Sequence, residues 1–130
     1  MRRRGLLLLA ALGVIAANVI VVAAFLPPPS APPNASRAER LYFLRCATCH
    51  GPRGEGSWRS TLFLVRPGNL ADPDRMAGLP DQYLFDIIRH GGAPLGKPGM
   101  PSFSSHFSDG EIRELLIYVR TLSRGNTPPE

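Results

Sequence analysis

The sequence predicts an all-α fold of three or more helices gathered around a bound group, with a membrane helix in front of them. Three observations lead there. Three segments carry apolar residues at helical spacing between recognisable caps. No stretch of any length alternates apolar and polar residues as a half-buried strand would. An uncharged apolar run of 22 residues, Gly5 to Leu26, lies near the start of the chain.

That run follows Arg2, Arg3 and Arg4. As a helix it would be roughly 33 Å long, enough to cross the hydrocarbon layer. A cleavable signal has a shorter apolar region of about 7 to 15 residues. Residues 1–26 therefore read as a retained signal anchor, although Val22-Ala23-Ala24 has the small-residue form of a cleavage site. The arginines hold their end in the cytoplasm, which puts everything after Leu26 on the periplasmic side of the cytoplasmic membrane. Residues 27–35 form a proline-rich linker, where Pro27-Pro28-Pro29-Ser30-Ala31-Pro32-Pro33 makes a stiff spacer of roughly 20 Å. It lifts the following part off the membrane without fixing its orientation. The globular part runs over 36–124, and 125–130 reads as a flexible tail.

Three helices can be placed in the globular part. Ser36 with Glu39 makes a capping box, and Leu41, Tyr42 and Leu44 carry that helix toward two cysteines. The second begins near Pro80, aligns Leu84, Ile87 and Ile88, and stops at Gly91-Gly92. The third starts at Ser108 with Glu111 completing another capping box, and Ile112, Leu115, Leu116 and Val119 form its apolar stripe. Between them lie long loops rich in glycine and proline, 51–79 and 92–107. A part of about ninety residues with such loops buries little core alone, so it needs something to fold around.

Cys46-Ala47-Thr48-Cys49-His50 supplies it, because this spacing attaches a c-type haem. Each thiol adds to one vinyl group of the porphyrin, one helical turn spans the two, and His50 brings its Nε2 to the iron. The competing readings are a disulfide, a thioredoxin-like pair and a zinc site. The second wants a βαβ setting, and the third a fourth ligand from distant His90 or His106. One covalent haem c held by Cys46 and Cys49 is the cofactor expected.

For the second axial position the candidates are Met76, His90, Met100 and His106. Met100 is favoured, because the prolines of Pro98-Gly99-Met100-Pro101 stiffen an extended loop just ahead of the last helix. Met76 reads as a gap-filling core residue. His90, at a helix C-terminus, reads as a partner of the helix dipole, and His106 is the next choice. A thioether favours ferrous iron and raises the reduction potential.

The net charge is +5, but three of the 15 basic residues are the leading arginines, leaving 12 against 10 acidic ones. No nucleic-acid partner is implied. Arg40, Arg45, Arg53, Arg59 and Arg66 cluster around the cysteine motif, either to face haem propionates or an acidic partner, or as ordinary solvated surface.

The stretch 36–124 resembles the class I monohaem cytochrome c family of small bacterial electron carriers. The likeness is carried by Cys46-Ala47-Thr48-Cys49-His50-Gly51, by Gly99-Met100-Pro101-Ser102-Phe103, and by a last helix reading Leu115-Leu116-Ile117-Tyr118-Val119-Arg120. The resemblance implies a small cytochrome c fold wrapped around one covalent haem. It also implies a crossing of first and last helices at Ala38, Tyr42 and Tyr118, with Ala38 in place of the usual glycine. A loop carbonyl that accepts from Nδ1 of the haem histidine is implied as well, with Pro67 at the corresponding place. Haem attachment in that family takes place outside the cytoplasmic membrane, in agreement with the arginine-based orientation.

The function expected is that of a membrane-anchored electron carrier, passing single electrons through Fe(III)/Fe(II) haem between redox partner proteins. The alternative is a fixed electron-transfer subunit of a larger respiratory dehydrogenase, reductase or oxidase, and a haem-based sensor is a third reading. No carboxylate pair, nucleophile–base pair or phosphate-cradling loop points to an enzyme. Trp58, Phe63 and Phe103 are candidates for a small docking patch, against the simpler reading of packing on the porphyrin.

Overall fold

The computed structural model describes residues 2–62 and 65–125. Its elements are α1 (Arg2–Phe25), α2 (Arg37–Arg45), α3 (Ala47–His50), α4 (Trp58–Leu62), α5 (Pro73–Ala77), α6 (Asp81–His90), a 3-10 turn (Ala93–Leu95) and α7 (Asp109–Leu122). No strand occurs among the described residues, as the sequence led one to expect.

Helix α1 contains a span, Arg3–Val22, long and apolar enough to cross a membrane, and none of that span is buried against the protein. Its one amide, Asn18, donates to the Val14 carbonyl at 2.8 Å, so the polar group is satisfied within its own helix. The spacer that follows is tied at both ends. Arg59 donates to the Leu26 carbonyl at 2.6 Å and Arg40 to that of Ala35.

The three long helices of the globular part start as their caps dictate. Ser36 Oγ accepts from the Glu39 amide at 3.2 Å, but Glu39 does not close the box. Its carboxylate instead accepts from the Tyr118 hydroxyl at 3.4 Å, and burial together with that carboxylate pushes the Tyr118 phenol up to about 12. At α7 the box closes fully, with Ser108 N donating to Glu111 Oε2 at 2.8 Å. Helix α6 begins after Pro80 and ends at Gly91, as the sequence indicates. The segments 51–79 and 92–107 are less irregular than expected. They hold α4, α5 and the 3-10 turn, each too short to show a periodicity.

Helix α7 packs on both α2 and α6. Tyr42, Ile112 and Leu115 are fully enclosed at the centre. Tyr42 and Tyr118 meet with ring centroids 5.4 Å apart, which realises the aromatic crossing of first and last helices. Ala38 is half-buried. At the far end of α7, Arg120 staples the helix to the α5–α6 segment. It donates to the Met76 carbonyl, to the Leu79 carbonyl at 2.5 Å and to Asp81 at 2.6 Å.

Charge-assisted bonds to buried carbonyls are worth about 1.5–3 kcal/mol, and exposed pairs about 0–1. Arg120→Ala should therefore destabilise by about 2–3 kcal/mol in chemical denaturation. Arg37→Ala, which removes a side chain paired with Glu111 at 2.7 Å and 60% exposed, should cost less than about 1. Glu111 is held below the carboxylate value of 4.5 by the bonds from Ser108 and by Arg37. A depressed folded value means stability present above pH 4.5 and lost as pH falls through the folded value. Glu111→Gln should flatten that acid limb of the stability curve.

Candidate functional site

The site begins where α2 ends. Cys46 caps the helix with its amide on the Tyr42 carbonyl at 2.7 Å, and the chain turns once more through α3. Residues i, i+3 and i+4 of such a turn share a face, so Cys46, Cys49 and His50 come to one side. Gly51, at φ +80°, ends the turn, and a β-carbon there would lie 2.7 Å from the Gly56 carbonyl oxygen. Its own carbonyl accepts from the buried Tyr42 hydroxyl at 2.7 Å, which fixes the motif against α2. Burial pushes the Tyr42 phenol well up, so it serves as a donor throughout the ordinary pH range.

Both cysteines are free thiols rather than a disulfide. Burial, then the neighbouring Cys49, pushes the Cys46 thiol up to about 12. Burial also holds the His50 imidazole below its ordinary value, outweighing the opposite pull of its bond to the Gly68 carbonyl. That bond, at 3.1 Å, fixes the tautomer. A carbonyl only accepts, so Nδ1 carries the proton and Nε2 keeps its lone pair. The supporting carbonyl is that of Gly68 and not of Pro67. The expectation was one residue short.

Cys46, Cys49 and His50 line a cavity of about 410 Å³. Its apolar walls come from α6, through Leu84 and Ile88, and from α7, through Leu115 and Val119. Met100 lines the same cavity from the opposite loop, although 50 positions separate it from His50. The Met100 loop is hung on the C-terminus of α6. Gly92 N donates to the Met100 carbonyl at 2.9 Å, Phe103 N to the Ile88 carbonyl at 3.1 Å, and Ser102 Oγ to the Arg89 carbonyl at 2.7 Å. Gly91, at φ +81°, permits this close approach, because a β-carbon there would lie 2.8 Å from Ser102 N. On the other side a β-carbon on Gly99 would lie 3.0 Å from Val65, so the loop carrying Met100 abuts the one carrying Gly68.

Of the other axial candidates, His90 and His106 are exposed and do not line the cavity, which removes His106 as the next choice. His106 turns instead to Ser105, 3.0 Å away. Met76 is buried to 1% exposure in the core and also forms part of the wall. Among the described residues no group of three His, Cys, Asp or Glu is gathered as a metal site, so the zinc alternative loses its fourth ligand. Phe103 is buried, stacked on Phe107 at 5.6 Å, whereas Trp58 is 54% exposed. Phe63 lies outside the described residues.

A profile described as "Cytochrome C oxidase, cbb3-type, subunit III" matches residues 33–119. The chain belongs to this family. Among curated relatives, it is 28% identical over 93 residues to the cbb3-type cytochrome c oxidase subunit FixP of Azorhizobium caulinodans. That match covers 72% of this chain and 29% of the relative. It is 32% identical over 99 residues to subunit CcoP of Rubrivivax gelatinosus, covering 75% and 30%. The chain thus spans less than a third of the length of these relatives. The solved structure of the KustC0563 c-type cytochrome superposes with a TM-score of 0.57 at 24% identity, over 65% of this chain and 95% of the other, and shares the fold. The resemblance to c-type cytochromes is therefore borne out, and such a domain implies haem c.

The residues present fit that group. Two free thiols stand one helical turn apart, an imidazole beside them offers an unprotonated nitrogen, and a thioether lines the same apolar cavity.

Gly91→Ala should cost about 1–3 kcal/mol, because the left-handed backbone and the contact with Ser102 both oppose a side chain. Gly110→Ala, in the first turn of α7 with nothing nearer than 3.9 Å, should be neutral or stabilise by up to about 1 kcal/mol. Paired denaturation curves check both.

Proposed function

We propose that the chain is a membrane-anchored electron-transfer component of a cbb3-type oxidase complex, in which Cys46 and Cys49 would hold one haem c and His50 and Met100 would bind its iron. The observation that carries the reading is that Met100, 50 positions beyond His50, lines the same apolar cavity as Cys46, Cys49 and His50. The relatives named as subunits of that oxidase support its place there.

The haem supplies a reversible one-electron couple, which thioether ligation moves toward the ferrous form. The protein's part is to hold and insulate. Gly68 keeps Nε2 of His50 unprotonated and aimed by anchoring Nδ1. The α6 terminus fixes the Met100 loop, and Leu84, Ile88, Leu115 and Val119 exclude water. With His50 and Met100 both holding the iron, a bound haem would exchange electrons rather than do bond chemistry. Helix α1 anchors the chain, and Arg2, Arg3 and Arg4 favour a globular part outside the cytoplasm.

The proline-rich spacer supports a second reading, a tethered carrier moving between complexes. Purification in mild detergent separates the two: a stoichiometric oxidase complex favours the first, and a haem protein migrating alone the second.

Optical spectra test the site. Wild type made with a working maturation system should show a c-type spectrum with a sulfur-to-iron charge-transfer band when oxidised. Met100→Ala should lose that band and lower the reduction potential. A band that survives would overturn the ligand assignment, and a colourless wild type the whole reading.

A further inference from the structure

We infer that helix α4 rests in the surface of the membrane that α1 crosses, with Trp58 at the edge of the hydrocarbon and a lipid acyl chain in the crevice between Trp58 and α1. The inference rests on the reading of α1 as the anchor. Its basis is where the fold puts the chain's only tryptophan.

An exposed ring is ordinary on a protein surface and says nothing alone. Trp58, however, lines an apolar crevice together with Ile15, Asn18, Val19 and Val22 of α1. Those four recur at i, i+3, i+4 and i+7, so they form one stripe along one face of that helix. The amide of Asn18 is spent on the Val14 carbonyl at 2.8 Å. The stripe lies inside the span Arg3–Val22, which is long and apolar enough to cross a membrane and is left unburied by the described part of the chain. A side chain beside the stripe shares its depth, so hydrocarbon around α1 also reaches Trp58. From Ile15 to Val22 the helix rises roughly 10 Å, which matches the depth of about 5–10 Å at which interfacial helices bury their apolar faces. The amphipathic ring of tryptophan is favoured in that layer.

The polar neighbours fit the same boundary. Arg59 donates to the Leu26 carbonyl at 2.6 Å, where α1 leaves the hydrocarbon and its last carbonyls lack helical donors. Its guanidinium lies 5.9 Å from the centre of the Trp58 ring, and its aliphatic stem lets the charge reach a wet layer from an apolar one. No charged side chain lines the crevice. Hydrocarbon is therefore the occupant its chemistry selects, and the anchor beside it brings lipid to its opening. Helix α4 is also hung on the cysteine turn. Ser57 N donates to the Cys49 carbonyl at 2.9 Å and Gly56 N to that of His50 at 2.6 Å, and α4 packs on α3. Holding α4 in the membrane surface thus sets the height and tilt of the cofactor cavity.

The test uses the full chain in phosphatidylcholine vesicles. With one tryptophan in the chain, all indole emission comes from Trp58, and what survives energy transfer to a haem is compared between vesicles that differ only in bromination. Lipid brominated in the upper part of its acyl chains should remove most of that emission, lipid brominated at the chain ends much less, and iodide in the water little. Quenching by iodide in place of bromine would put Trp58 in water. Indifference to both would put it against protein, such as a second copy of the chain. Either result overturns the inference. In oriented bilayers, Trp58→Ser should keep the haem absorption and the reduction potential yet lose most of the linear dichroism of the haem band, and a dichroism that stays unchanged would overturn the orienting role. A protein that washes off the vesicles would overturn the anchor reading and this inference with it, whereas an anchored protein whose Trp58 lies in water would overturn this inference alone.

Discussion

The constraint on which the globular part depends is that α6, α7 and the cysteine turn must keep apolar faces around a cavity beside the packed core. Protein interiors pack as densely as organic crystals, yet here about 410 Å³ lies between the inward faces of α6, α7 and the cysteine turn. An apolar group bound there would add to the core. Of the short elements, α3 and α5 contribute to the wall, through Cys49 and His50 and through Arg75 and Met76, while α4 packs against α3.

Two devices keep that wall in shape without a sheet. One is the terminus of α6, whose last carbonyls would otherwise lack donors. The amides of Phe103 and Ser104 and the hydroxyl of Ser102 occupy them. The helix end thereby sets where Met100 stands. The other is Arg120, which satisfies the carbonyls of Met76 and Leu79 where the chain passes from α5 into α6. In both cases the same groups that solve a local hydrogen-bonding problem also position the cavity, so loop placement and helix termination are one problem.

Much of this was legible in the sequence. Short-range chemistry fixes what a pentapeptide with two thiols and an imidazole can do, and caps such as Ser108 with Glu111 announce a helix from four residues. Meeting points between distant segments were less legible. Glu39 left its capping box because Tyr118, far along the chain, competes for the carboxylate. The supporting carbonyl fell on Gly68 rather than Pro67, since one residue of loop register is decided by packing against Val65 and Gly99. Arg75 and Lys97 joined Arg45 and Arg66 around the cavity, whereas Arg40, Arg53 and Arg59, nearer to the cysteines in sequence, turned elsewhere. Helix α5 did carry a local signal, Asp72 capping and Pro73 at the first position, but five residues give no periodicity to set beside it.

The wall contributed by Leu115 and Val119 has a consequence in time. A ribosome makes the turn 46–50 well before it reaches α7, and Tyr42 waits as long for Tyr118. During that interval the two thiols belong to a nascent chain with no enclosure, accessible to whatever chemistry acts on them. Cys46 shares its cavity with Leu115 and Val119, so covalent modification there meets least obstruction while α7 is still unpacked.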